Sequence, residues 1–347
     1  MLHETLNDRE KTILRSIVQQ FILTASPVGS RNITKRFNIG VSPATVRNIM
    51  SDLEDSGFIN HPHTSAGRVP TDKGYRYYVD SLMEVQKLNN SEKGIIEKSL
   101  DSKETEADEI LKIALRLLSA ITKQIACVTY PKLDKGILTK LQLVSLSSTR
   151  LLVVISIKSG LVKTITLEFK TEIEQAKLKN VERLLNERLC GLTFNEIRKT
   201  FKDRFTDISS EEKPIIRLFI ESVDKIFQDN KTEEKLLITG ATNVIHQPEF
   251  EDPDKFQSII ELIEDKDIII HIMDKKKSEA KNDVVISIGS ENESEKFKEY
   301  SIITKEYSFG ETSGTVGIIG PKRMEYSKVV AIVSYLGDTL TEILTGK

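Results

Sequence analysis

Cysteine is scarce in this chain. Cys127 and Cys190 are the only two among 347 residues, and they lie 63 positions apart. They match neither a CxxC nor a metal-ligand spacing, which sets aside a disulfide framework and a thiolate metal site and leaves two reduced structural thiols. Long hydrophobic runs are missing as well. No apolar stretch approaches the ~18 residues of a membrane-spanning helix, and the N-terminus lacks a basic segment followed by an apolar core. A cytoplasmic protein with no membrane partner is expected. Catalytic signatures are also absent: there is no GxSxG, no HExxH and no phosphate-cradling loop, and His246 and His271 stand alone. The expectation is a non-enzyme with no catalytic residue, no metal ligand and no cofactor. The glycines at 314, 317 and 320 superficially resemble a dinucleotide fingerprint, but Pro321 follows and the segment reads as a strand. No internal repeat and no low-complexity tract occurs.

What is present suits a soluble globular chain: 29% charged and 39% hydrophobic residues with a net charge of −2. This length suggests two or three domains, each able to bury a core. The charge is uneven. Residues 1–88 carry 11 Lys/Arg against 9 Asp/Glu, whereas the remainder carries 39 against 43. Between positions 31 and 47 lie Arg31, Lys35, Arg36 and Arg47 and no acidic residue. That is a modest basic footprint, informative only beside a motif.

The N-terminal region supplies the motif. Asn7 with Glu10 forms a capping pair ahead of an apolar stripe of Ile13, Leu14, Ile17, Val18, Phe21 and Ile22, which predicts a helix ending before Ser26-Pro27. Ser30 is the expected cap of a short second helix. Asn38–Val41 reads as a tight turn, and Ser42-Pro43 opens a third helix that runs to about Ser56. A hairpin follows, with strands Phe58–Asn60 and Arg68–Val69 and a loop over His61–Gly67. Thr71 then caps a fourth helix reaching Leu82. Helix, short helix, turn, capped helix and hairpin is the order of a winged helix-turn-helix.

The third helix divides into two faces. Val46, Ile49, Met50 and Leu53 recur at the spacing of a buried stripe. Ala44, Arg47, Asn48 and Ser51 occupy the opposite side, which is small, polar and basic. A helix entering a major groove needs small residues for close approach, and Arg or Asn can bind base edges in bidentate fashion. Asp52, Glu54 and Asp55 collect at the far end. Arg31 and Lys35 face where the DNA backbone should pass, and Ser42 and Thr45 join them as candidate DNA-binding residues. In the candidate wing, His63, Thr64, Ser65 and Arg68 can reach phosphate or the minor groove. His61 and His63 lack further ligands nearby, so a metal site is not expected. Tyr75, Tyr77 and Tyr78 are read as packing residues rather than base-stacking ones.

Farther along, residues 86–105 are polar and read as a linker. A helix stripe runs from Ile110 to Ile125, strands are expected at Lys140–Leu146, Leu151–Ile157 and Leu161–Phe169, and helices occupy 173–228. Further strand candidates are Leu236–Thr239, Asp267–Met273, Val284–Ile288, Tyr300–Thr304 and Thr315–Ile319, before a final helix over Glu325–Leu344.

The runs Pro27–Ser30, Ser42–Asn48 and Pro62–Val79, together with Ile319–Tyr326, closely resemble the heat-inducible transcription repressor HrcA family. The resemblance is most specific over 27–79 and looser between about 172 and 280. One departure is Ile49, where family members often carry an acidic residue. The resemblance implies an α+β multidomain protein: a winged helix-turn-helix over 1–85, a linker over 86–105, a GAF-like α/β domain over 106–171 and 265–347, and an inserted dimerisation domain over 172–264. It further implies a homodimer that binds double-stranded operator DNA of the inverted-repeat CIRCE type and is regulated by a GroEL-type chaperonin. A GAF-like body that senses a small molecule is the competing expectation, since such folds often hold ligands.

Overall fold

Asn7 starts the first helix by the reciprocal geometry expected of it. Its side-chain oxygen accepts from the Arg9 and Glu10 N–H groups at 3.0 Å, and the Glu10 carboxylate accepts from the Asn7 N–H at 2.8 Å. The computed structural model describes residues 6–37, 39–62, 67–100, 106–168, 175–208, 213–228, 236–275 and 284–346. Helix α1 (Asp8–Thr24) ends at Ala25 in the left-handed conformation, one residue ahead of Ser26-Pro27. Helix α2 (Ser30–Phe37) begins at the residue expected to cap it, so the cap lies one residue earlier. The Gly29 carbonyl, not Ser30, receives the first N–H groups, from Asn32 and Ile33. Helix α3 (Pro43–Asp55) starts as expected, with the Ser42 hydroxyl accepting from the Thr45 N–H at 3.2 Å.

Strands β1 (Ile59–Asn60) and β2 (Val69–Pro70) pair antiparallel. Val28, between α1 and α2, adds a third line of backbone: its N–H and carbonyl exchange bonds of 2.8 and 2.9 Å with Arg68. This approach explains Gly67, where a Cβ would sit 2.6 Å from the Val28 carbonyl carbon. Helix α4 (Asp72–Tyr77) is capped by Thr71 and continues as a π-turn over Tyr78–Leu82, slightly different from the single helix expected. Tyr75 and Tyr78 are buried, and Tyr77 packs edge-on to Phe58 at 5.3 Å. The three tyrosines are therefore packing residues, as read from the sequence.

Helices α5 (Asn90–Leu100) and α6 (Ala107–Thr122) lead to strand β3 (Ile125–Thr129). Strands β4 (Leu138–Ser147), β5 (Arg150–Ile157) and β6 (Val162–Glu168) make a separate antiparallel sheet in that order. Helices α7 (Gln175–Leu189), α8 (Phe194–Arg204), α9 (Lys213–Glu221) and α10 (Val223–Phe227) follow. The chain returns through β7 (Leu236–Thr239), α11 (Ala241–Ile245), α12 (Pro253–Glu264), α13 (Lys266–Lys275), β8 (Val285–Ile288), β9 (Tyr300–Phe309), β10 (Thr312–Pro321) and α14 (Tyr326–Thr345).

The larger sheet runs β7-β3-β10-β9-β8, antiparallel throughout. Its alternating side chains feed two cores, as strand geometry requires. Ala126, Val128, Ile303, Val316 and Ile318 pack with α6 and α14, while Ile125, Cys127, Ile302 and Ile319 pack with α12 and α13. The first of these cores continues without a break into α1, α3 and α4. The fold is thus a mixed helix-and-sheet architecture. No helix among the described residues is long and apolar enough to cross a membrane.

Four sequence expectations are corrected. The linker over 86–105 contains α5, whose Ile96 and Leu100 are buried one turn apart. Ile125 belongs to a strand, because the chain leaves α6 at Lys123 in the left-handed conformation. Asp267–Met273 is helix α13 rather than a strand, burying Ile269, Ile272 and Met273 at helical spacing. The boundaries at 171/172 and 264/265 also cut across packing units. The strands spanning 138–168 share one core with α7–α10, and β7 belongs to the larger sheet.

Candidate nucleic-acid interface

Helix α3 buries Val46, Met50 and Leu53 against the α1 residues Ile13, Leu14 and Ile17. That seating turns Ala44, Arg47, Asn48 and Ser51 outward, and all four are exposed. Ile49 is partly buried at the edge of the stripe. Ser42 is exposed and tied to Thr45, whose hydroxyl lies 3.0 Å from the Ser42 hydroxyl. The helix N-terminus therefore presents its small residues and its hydroxyls together.

On α2, burial of Ile33 leaves Arg31, Asn32, Lys35 and Arg36 exposed. Among the described residues, Arg31, Lys35, Arg36 and Arg47 have no ion-pair partner. The acidic end of α3 is handled differently. Glu54 pairs with Arg68 at 2.6 Å and with the His61 ring. Burial pushes the Glu54 carboxyl upward, but the His61 hydrogen bond and the Arg68 charge outweigh it and hold the group below its ordinary value. The surface thus carries uncompensated cations on α2 and the front of α3, with a neutralised carboxylate behind them. This arrangement attracts a polyanion.

Arg31 and Lys35 on α2 and Ser42, Ala44, Arg47, Asn48 and Ser51 on α3 are exposed, and Thr45 is half-buried. Arg68 is turned to Glu54 at the base of the hairpin. His63, Thr64 and Ser65 lie outside the described residues. Among the described residues, no group of three or more His, Cys, Asp and Glu side chains is arranged to hold a metal ion.

Sequence reasoning missed the polar contact between this unit and the body. Asp72 accepts from the Ser290 N–H at 2.8 Å and pairs with Lys322 at 3.0 Å. Burial raises the Asp72 carboxyl, but the Ser290 N–H and Lys322 hold it below its ordinary value. Arg76 binds Glu291, and Arg323 binds Glu249 while donating 2.7 Å to the Ile22 carbonyl at the end of α1. The signal was available: Asp72 and Arg76 stand one helical turn apart, opposite in charge, away from the buried Tyr75–Tyr78 side.

The family model described as the HrcA protein C-terminal domain matches residues 108–330. The heat-inducible transcription repressor HrcA of Chlorobium phaeobacteroides (strain BS1) is 40% identical, with 99% of this chain and 100% of that protein covered. The protein of the same name from Chlorobaculum tepidum is 41% identical, covering 100% of this chain and 99% of its own. A solved crystal structure of a hypothetical protein, 24% identical, shares the fold with a TM-score of 0.64 over 99% of both chains. The chain belongs to the HrcA family of heat-inducible transcription repressors.

Proposed function

We propose that this chain represses heat-shock (chaperone) operons by placing α3 in the major groove of an inverted-repeat, CIRCE-type operator, as a winged helix-turn-helix. The observation that supports this reading is the set of exposed cations Arg31, Lys35 and Arg47, without an ion-pair partner among the described residues, together with the exposed Ala44, Asn48 and Ser51 of α3. Arg47 and Asn48 read base edges. Ser42, Thr45, Arg31 and Lys35 contact phosphate, and the small side chains of Ala44 and Ser51 admit the backbone. The hairpin loop carrying His63, Thr64 and Ser65 acts as the wing. Arg68 contacts the duplex only by leaving Glu54; while paired, it holds the hairpin against α3.

The larger sheet with its flanking helices serves as the GAF-like body, and the smaller sheet with α7–α10 serves as the dimerising insertion. Dimerisation is supported by exposed Val144, Leu146 and Val162 on the smaller sheet. Two-fold symmetry makes an inverted repeat the natural target. Heat lowers the competent fraction, and a GroEL-type chaperonin restores it. A fall from 99% to 50% competent needs only about 2.7 kcal/mol, well within the reach of a marginally stable body.

Fluorescence anisotropy on an inverted-repeat duplex and a scrambled duplex, across a salt series, tests the proposal. Operator binding that weakens steeply with salt and exceeds scrambled binding is expected. Salt-independent binding, or equal affinity for both duplexes, removes it.

A further inference from the structure

Helices α1 and α2 and the start of α14 leave a cavity of about 300 Å³ between the N-terminal unit and the body. That volume lies at the lower end of the range for small-molecule sites. Ile22, Phe37, Tyr78 and Tyr326 line it. The Tyr78 hydroxyl is engaged with Gln19, and that of Tyr326 with Ser301 and the Lys322 carbonyl, each at 2.7 Å. Both rings therefore contribute apolar surface, with their hydroxyls already hydrogen-bonded, Tyr78 to Gln19, which also lines the cavity. Arg36 and Lys328 also line the cavity, against a single carboxylate, Glu325. Among the described residues, none of these three charged side chains has an ion-pair partner. The site thus combines an apolar lining, a net positive charge and cations with free hydrogen-bond donors.

We infer that this cavity binds a small amphipathic carboxylate, its apolar body against Ile22, Phe37 and the two tyrosines and its head group on Arg36 and Lys328. A carboxylate suits the donors because charge-assisted hydrogen bonds are the strong ones. The regulatory consequence rests on the repressor reading. An occupant touches α1 and α2 on one side and α14 on the other, so it favours one angle between the reading unit and the body. In a dimer, the two reading helices must match half-sites about 34 Å apart. A ligand that biases the angle therefore changes operator affinity, with a typical coupling of about 5- to 150-fold.

The test is calorimetric titration of the full chain, without DNA, with octanoate, octan-1-ol and octylamine. A single saturable site that prefers octanoate is expected. Arg36→Gln and Lys328→Gln should each weaken octanoate roughly tenfold and leave the alcohol nearly unchanged. Thermal melts confirm that both variants remain folded. Octylamine binding as tightly as octanoate, octanoate binding untouched by both variants, or no saturable binding overturns the site. In a second arm, octanoate should shift operator affinity at least fivefold in the wild type but not in Lys328→Gln, a residue of α14 rather than of the α2–α3 pair. Octanoate binding with operator affinity unmoved overturns the regulatory claim. Absence of operator binding both with and without octanoate overturns the repressor reading instead.

Discussion

Arg76 grips Glu291, 215 positions away, with Nε to Oε1 at 2.7 Å and Nη2 to Oε2 at 2.5 Å; Nη2 also donates to the Ile286 carbonyl at 2.8 Å. One turn earlier, Asp72 meets Lys322. The two charges on α4 are answered by two opposite charges on the body, which fixes how α4 docks as well as that it docks. Both Arg76 and Glu291 remain about one-third exposed, so solvent screening moderates the pair. Arg76→Ala should cost about 1–3 kcal/mol by urea unfolding, and a double-mutant cycle with Glu291→Ala should show a coupling of about 1 kcal/mol. Strictly additive effects in that cycle would show that the pair does not act as a clasp.

Asp72 adds a pH dependence. Its folded-state pKa lies below the ordinary carboxylate value because the Ser290 N–H and Lys322 favour the charged form more than burial disfavours it. The unfolded chain therefore binds the proton more readily. The stabilisation is fully present above the unfolded value, near pH 4, and is lost as the pH falls through the lower folded value. Asp72→Asn should lower stability at pH 6 and flatten the acid limb below about pH 4. Parallel limbs for the two proteins in urea melts from pH 6 to pH 2 would remove Asp72 from the account.

Arg47 separates binding from stability. It is exposed and unpaired among the described residues, so its removal breaks no ion pair among them. Arg47→Ala should leave the melting temperature unchanged and weaken operator binding by about 1–3 kcal/mol if the side chain reads a base. A loss of the same size on scrambled duplex, with a shallower salt slope, would reassign it to phosphate. Unchanged affinity would take it out of the interface.

Much of the N-terminal unit was legible because its signals are local. Asn7 and Glu10, Ser42-Pro43, and Thr71 each fix a helix start through atoms within three residues, and the structure shows those starts. The failures needed distant partners. Residues 86–105 look solvated until Ile96 and Leu100 meet α6 and α14. The run Ile268–Met273 is β-branched enough to pass for a buried strand, and periodicity cannot arbitrate so short an apolar run. It is helical because Ile269, Ile272 and Met273 share one face over the larger sheet. Ile125 extended the apolar stripe of α6 only in sequence, since Lys123 turns the chain away first. In the candidate interface, the two faces of α3 could be read directly. The ion pair that occupies Arg68 could not, because it joins the hairpin to the back of α3.

Gly74 should be intolerant of any side chain. A Cβ at this position would lie 2.1 Å from the Phe58 carbonyl oxygen, a backbone atom that cannot swing aside. Gly74→Ala must therefore push α4 off the hairpin and disturb Tyr75 and the Asp72–Arg76 contacts together. Overpacking of this kind costs about 1–3 kcal/mol, occasionally more. A melting temperature within a degree of wild type would mean that α4 has room to move.

The dimer proposal can be tested on the smaller sheet without touching the DNA-reading surface. Leu151, Val153, Ile155 and Ile157 of β5 point under the helices, so Leu152 and Val154 face the other way. The register sets Val144 and Thr166 beside Leu152, and Val162 beside Ser156. Val144 and Val162 are 46% and 61% exposed in the single chain, so Val144→Glu costs little in the protomer. In a dry interface, the same carboxylate would be desolvated without a partner. Light scattering should then report monomers for Val144→Glu and dimers for Val144→Thr. Operator affinity should fall more than tenfold in the first variant alone, since the second half-site contact ceases to be intramolecular. A dimeric Val144→Glu protein would move the interface off this sheet while leaving the reading surface of α3 untouched.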